Sequence, residues 1–328
     1  MLVETREDTM SLIAFYHGVK PETLRRHYKK KSSGFNQWDQ KGHADQYMLF
    51  PENLGEYLSI DEVSLTHGEL YTFVTNKSGK GKSGSLVACI NSTRSEDIKK
   101  VLESIPLKNR MNVKEITLDM AKNMESASKM VFPEASLVTD RFHVVKLVID
   151  ATQHVRIKHR WFEIDIENEA ILKAKKDGIP YRQIVLSNGD SPKQLLARSR
   201  YILAKDKKNW TQNQQERATL LFQRYPEIKK AYNHSIKLRA VFELRDRNRA
   251  EYDLNQWIEE SKIIDIKEFN STAFTIQYNK SNILNFFNNR STNASAESFN
   301  SKIKLFRANL RGVTDTVFFL FRLSKLFA

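Results

Sequence analysis

Four acidic residues stand where carboxylates held at strand ends and on one helix can do chemistry. Asp61 closes Tyr57-Leu-Ser-Ile-Asp61, Asp119 closes Val113-Lys-Glu-Ile-Thr-Leu-Asp119, and Asp140 closes Leu137-Val-Thr-Asp140. Glu297 lies in Ser295-Ala-Glu-Ser-Phe-Asn300, within a basic stretch. Carboxylates drawn from distant parts of a chain can converge on divalent cations. Two such ions, about 3.5–4 Å apart, activate a water or 3′-hydroxyl and stabilise the leaving oxygen of a phosphodiester. Mg²⁺ prefers oxygen ligands, so Mg²⁺ or Mn²⁺ is the expected cofactor. Each acid also has a plainer use. Asp119 and Asp140 can each cap a following helix, and Glu297 can be a solvated surface residue. Glu62 competes with Asp61 as a ligand, but strand alternation points the two to opposite faces.

The charge of the chain supports a polyanionic partner. Its 328 residues carry 53 Lys+Arg against 39 Asp+Glu, a net charge of +14, which favours nucleic acid. The single cysteine, Cys89, excludes a disulfide framework or a Cys-based zinc site within one chain. Residues 1–10 are polar and show no secretory signal. The longest apolar stretch, Val317-Phe-Phe-Leu-Phe321, is interrupted by Arg322 and Lys325. A membrane span needs about 20 apolar residues. The stretch therefore reads as a buried terminal helix of a cytoplasmic, nucleoid-associated protein.

The elements that must position the acids can be read from periodicity. Two short helices, Thr9–Tyr16 and Pro21–Tyr28, open the chain, with Arg25, Arg26, Lys29, Lys30 and Lys31 making the second basic. Residues 33–54 read as a linker. Strands follow at Tyr57–Asp61, Leu70–Thr75 and Leu86–Ile90. The segment Asn76-Lys-Ser-Gly-Lys-Gly-Lys-Ser-Gly84 between the last two lacks the first glycine of a P-loop and reads as a flexible basic turn that could touch phosphates. Thr93-Arg-Ser-Glu96 reads as a capping box before a helix with Ile98, Val101, Leu102 and Ile105 on one face. A strand ending at Asp119, a helix with Met120, Met124, Ala127 and Val131, and a strand ending at Asp140 complete the order β-β-β-α-β-α-β. That is the order of an α/β RNase H-like mixed sheet. The expected regions are 1–54 (helical N-terminal region and linker), 55–143 (first part of the catalytic core), 144–290 (a large, mainly helical insertion) and 291–328 (the acidic helix and a closing helix). In the acidic helix Phe299, Ile303, Phe306 and Leu310 form the apolar face, and Glu297, Asn300 and Lys304 share another.

These segments resemble the DDE-type transposases of bacterial insertion sequences, in particular the group with an Asp-x-Phe-His motif. The resemblance is carried by Ile60-Asp-Glu62, Gly68-Glu-Leu-Tyr71, Leu118-Asp-Met120, Phe132-Pro-x-Ala135, Asp140-Arg-Phe-His-Val-Val-Lys146 and Glu297-x-x-Asn300-x-x-Ile-Lys304, followed by Arg311-Gly312. It implies an RNase H-like catalytic domain, Mg²⁺-dependent cutting at element ends and strand transfer into double-stranded target DNA. It makes Asp61 the first metal-binding acid and Glu297 the last. The second acid is open: strand counting favours Asp119, and the Asp-Arg-Phe-His motif favours Asp140, with His143 beside it in sequence as a supporting residue. Lys302, Lys304, Arg307 and Arg311 are the expected contacts to DNA phosphates. The expected assembly is a homo-oligomer on DNA. Without a zinc module, end recognition falls to residues 1–50, to the insertion, or to a separately encoded small DNA-binding protein. The rivals are a metal-dependent nuclease of the same fold and a catalytically silent DNA-binding protein.

Overall fold

The computed structural model describes residues 9–64, 69–310, 313 and 315–328. The chain divides into two compact units, residues 1–140 with 289–328, and residues 141–288. In chain order the first unit begins with α1 (Met10–Tyr16), α2 (Pro21–His27), β1 (Tyr47–Leu49), β2 (Tyr57–Ser64), β3 (Leu70–Asn76) and β4 (Leu86–Ile90). It continues with α3 (Ser95–Glu103), α4 (Leu107–Arg110), β5 (Glu115–Leu118), α5 (Lys122–Val131) and β6 (Ser136–Thr139). Eight helices follow: α6 (Arg141–Lys176), α7 (Pro192–Arg198), α8 (Arg200–Ala204), α9 (Gln212–Arg224), α10 (Pro226–Val241), α11 (Arg247–Ile263), α12 (Lys267–Tyr278) and α13 (Lys280–Asn289). The chain then returns to the first unit with α14 (Ala294–Asn309) and α15 (Thr316–Phe327).

Six strands form one mixed sheet in the order β1-β4-β3-β2-β5-β6. The pairs β1–β4, β4–β3 and β3–β2 are antiparallel, while β2–β5 and β5–β6 are parallel. Alternation along the strands supplies two apolar faces. Leu58, Ile60, Val74, Ala88, Ile90 and Ile116 pack against Ile98 and Leu102 of α3 and Met124, Ala127 and Val131 of α5. Val63, Tyr71, Phe73, Leu86 and Cys89 pack against Phe299, Ile303 and Phe306 of α14 and Phe319, Leu320, Leu323 and Phe327 of α15. The predicted terminal helix is therefore a core element, and no described helix is long and apolar enough to cross a membrane.

Three sequence expectations change. The first strand does not end at Asp61: β2 runs on to Ser64, because Val63 continues the buried alternation and Ser64 still pairs with Leu70. The supposed linker at 33–54 holds β1 and buries Phe35, Ala44, Met48 and Phe50. The apolar run Tyr47-Met-Leu-Phe50 finds a partner on the otherwise free edge of β4. Thr93 does not cap α3, whose N-cap position is held by Arg94 without a side-chain cap; the Ser92 hydroxyl instead braces the turn, accepting from the Arg94 amide at 3.1 Å and donating to Asp97 at 2.6 Å. At the N-terminus the expected pair of helices is present. Thr9 caps α1 through the Leu12 amide (3.0 Å), and Pro21 opens α2.

The second unit is built on α6, 36 residues and about 54 Å long, with α7, α10 and α12 packed along it. Its two buried acids are each matched by cations. Asp190, fully buried, accepts from Arg198, Arg217 and Asn188. Glu163 accepts from the Tyr225 hydroxyl at 2.7 Å and from Arg224 at 3.3 Å.

Candidate active site

The sheet register decides which acids are neighbours. Parallel pairing aligns Ser59 with Thr117 across β2 and β5, and Leu118 with Thr139 across β5 and β6. Carried on by two residues and by one, the same registers align Asp61 with Asp119 and Asp119 with Asp140. The Asp140 amide donating to the Leu118 carbonyl at 3.0 Å holds the last strand in place. Adjacent strands are about 4.8 Å apart. Asp119 is thus one strand from Asp61, and Asp140 is two. Asp140 is also almost fully buried, at 2% exposure, whereas Asp61 and Asp119 are half-buried. His143 belongs to the other unit, half-buried in the first turn of α6.

Asp61 is held from two sides. Its Oδ1 accepts from the Glu62 amide at 2.8 Å, and its Oδ2 accepts from Asn300 Nδ2 at 2.6 Å. Asn300 lies one turn after Glu297 on α14, so this bond fastens the helix carrying Glu297 to the strand carrying Asp61. Below it the ring of Phe299 meets that of Phe73 edge to face at 5.8 Å, and Phe73 is the cross-strand partner of Asp61. Glu297 is exposed in the first turn of α14, where the helix dipole favours an acid. Asn293 holds the N-cap position, but its side chain caps nothing. Asp119 does double duty: its Oδ1 accepts from the Ala121 amide at 2.8 Å, at the entry to α5. Asp119 is nevertheless not the N-cap of α5, a position held by Ala121, and this turn bond uses only Oδ1.

Like charges crowd this end of the sheet. Burial first, then the charges of Asp119 and Asp61, raise Glu62 above the ordinary carboxylate value, and a hydrogen bond from Asn123 only partly offsets them. Four strand residues deeper, the charge is neutralised. Lys77 pairs with Glu115 at 3.0 Å and also donates to the Thr117 hydroxyl. Glu115 accepts in addition from Asn289 Nδ2 at 3.1 Å and from Ser291. Burial alone would raise Glu115; the bonds from Ser291, Lys77 and Asn289 outweigh it and hold the group below its ordinary value. This network ties the segment leading into α14 to β5. It went unrecognised in the sequence, although Glu115-x-Thr117-x-Asp119 puts polar groups at every second position of an otherwise apolar strand.

In the basic turn at 76–84, Lys80 and Lys82 are exposed, but the third lysine is not. Lys77 points inward, with its side chain 14% exposed. Gly81 sits at φ +68° with its Cα side facing the backbone of Phe299, where a Cβ would come within 3.7 Å. The Gly81 carbonyl accepts from Lys302 at 2.7 Å. Of the residues expected on DNA, Lys302 is therefore engaged with this turn, Lys304 is exposed and Arg307 is half-buried. Arg311 lies outside the described residues, as does Gly68 of the Gly68–Tyr71 segment.

The donors suit a hard divalent cation. They are carboxylate and amide oxygens, and their mutual repulsion at Glu62 is what a cation would relieve. The buried amide oxygen of Asn300 has no hydrogen-bond partner, a state that costs about 1–3 kcal/mol if nothing binds it. Among the described residues, no three His, Cys, Asp or Glu side chains already converge closely enough to hold a metal ion.

Comparison with known proteins adds one finding. The profile of a DDE-type family described as transposase matches residues 58–323. No curated protein and no solved structure matches the chain.

Proposed function

The chain belongs to the DDE-type insertion-sequence transposases, enzymes of DNA transposition, and from that premise we propose that it cuts the ends of its element and joins them to target DNA with Asp61, Asp119 and Glu297 as the metal-binding acids. The strand order β4-β3-β2-β5-β6, with three antiparallel strands followed by two parallel ones, supports an RNase H-like reading of the core, to which β1 is an addition. The observation that carries the site is the register that makes Asp61 and Asp119 neighbours, together with the Asn300 bond that brings the Glu297 helix to Asp61. Asp140 is a strand further away and buried, and is read as a supporting residue.

A pair of Mg²⁺ or Mn²⁺ ions bound there would supply Lewis acidity and an activated oxygen nucleophile. The chain's own part is to hold the acids and the DNA. Asp61 and Asp119 stand on rigid paired strands. Asn300 orients the Asp61 carboxylate. Lys304 and Arg307, on the same helix as Glu297, are placed to meet backbone phosphates. The work is assigned to a homo-oligomer on paired ends, with end recognition by the helical unit or by a separate small DNA-binding protein.

The test is incubation of the purified chain with the source element's ends, target DNA and Mg²⁺ or Mn²⁺, with products resolved by strand. Free 3′-hydroxyl ends and covalent joints to target are expected. Cleavage without joints would make the protein a nuclease, and binding without cleavage would make its site silent.

A further inference from the structure

The amide of Asn300 faces Asp61 with one atom and is unspent on the other. Nδ2 donates to Asp61 Oδ2 at 2.6 Å. This bond fixes which way the amide lies, because a carboxylate accepts and only the NH₂ side can donate. Oδ1 is therefore the atom left over. It is buried without a hydrogen-bond partner, in a side chain whose residue is 7% exposed. Phe299 before it and Ile303 after it are seated in the core, which fixes the turn of helix that carries Asn300.

An unpartnered carbonyl-type oxygen beside a carboxylate is unusual in a folded interior, where buried acceptors are almost always satisfied. It is, however, what a hard cation requires: Mg²⁺ and Mn²⁺ take amide and carboxylate oxygens alike. A neutral donor also adds coordination without adding negative charge. Resting on the reading of Asp61 as a metal-binding acid, we propose that Asn300 Oδ1 is a further ligand of the divalent cation held by Asp61. Asn300 thus has two duties. Its nitrogen orients the carboxylate, and its oxygen shares the ion.

Direct binding of Mn²⁺ to the full chain without DNA separates these duties, with free Mn²⁺ followed by electron paramagnetic resonance and folding checked by thermal melting. Asn300→Ala is expected to weaken Mn²⁺ binding about tenfold or more. Should Asn300→Ala not fold, Asn300→Leu, closer in size and equally without polar atoms, takes its place with the same expectation. Asn300→Asp keeps an oxygen at the same place and is expected to bind Mn²⁺ within a few-fold of the parent chain or more tightly. Binding by Asn300→Ala equal to the parent chain would overturn the proposal. So would an Asn300→Asp variant as weak as Asn300→Ala, because only donation to Asp61 would then matter. Asp61→Asn tells this failure from a deeper one: if that variant also binds Mn²⁺ normally, the metal-site reading itself falls.

Discussion

The two units surround their acids in opposite ways. In the helical unit the two buried acids are matched by cations. Asp190 has two guanidinium groups and an amide, and Glu163 has Arg224 and the Tyr225 hydroxyl. His234, pushed down to about 4 by burial, is stacked on Trp257 and bonded to Ser261. In the sheet unit Lys77 matches Glu115 four residues before Asp119, but at Asp119 itself Asp61, Glu62 and Asp119 come together, and burial and then like charge raise Glu62. Matched burial holds a fold together. Unmatched like charge is retained where something external is to be bound. Both patterns use buried acids, so burial alone does not separate a structural acid from a functional one; the sign of its neighbours does.

Substitutions that neutralise one acid from each class sharpen this contrast. Asp61→Asn should lower transposition by about a thousandfold or more, the loss of several kcal/mol of charge stabilisation, while leaving the melting temperature unchanged or slightly higher. Asp190→Ala should do the reverse. It leaves two arginines facing an empty buried site and should cost about 3–5 kcal/mol in chemical denaturation. An Asp61→Asn variant that unfolds, or an Asp190→Ala variant of full stability, would erase the distinction. Within the sheet unit, Lys77→Met should behave like the matched class. It leaves Glu115 buried without its cation and should cost about 3 kcal/mol by the same measurement.

A smaller effect probes the crowding itself. The folded protein holds the Glu62 proton more tightly than the unfolded chain, so ionised Glu62 destabilises the fold at neutral pH. The penalty is relieved as pH falls through the raised value towards the ordinary 4.5. Glu62→Gln should therefore raise the neutral-pH melting temperature by about 1–2 °C, a modest figure because solvent screens a half-exposed group. The gain should vanish below about pH 4.5. A gain that persists in acid would mean that Glu62 is not crowded by charge. Smallest of all, Lys304→Ala should reduce the salt slope of DNA binding by about one. An unchanged slope would remove Lys304 from the DNA contacts.

What the sequence disclosed and what it hid follow from the range of the interactions. Apolar alternation ending in an acid is local, so Asp119 and Asp140 were readable as residues that follow strands. So was the stripe Phe299, Ile303, Phe306 that seats α14. The extension of β2 past Asp61 depends on Val63 and on pairing with Leu70, and β1 depends on the free edge of β4; both are settled by partners distant in the chain. Asn300 looked like a polar neighbour of Glu297, and nothing in its spacing announced a bond to Asp61, 239 positions away. Lys77 looked like one more cation in a basic turn, and only the folded sheet turns it inward to Glu115. Strand identity was legible; polar partnership across the sheet was not.

The choice of Asp119 over Asp140 tests the account most directly, because it rests on the register alone. Excision of a marker between the source element's own ends should be abolished by Asp119→Asn and only reduced by Asp140→Asn, with both variants present at parental levels. If Asp140→Asn abolishes excision while Asp119→Asn retains it, the second metal-binding acid lies in the Asp-Arg-Phe-His motif, and the neighbouring positions of Asp61 and Asp119 do not define the site.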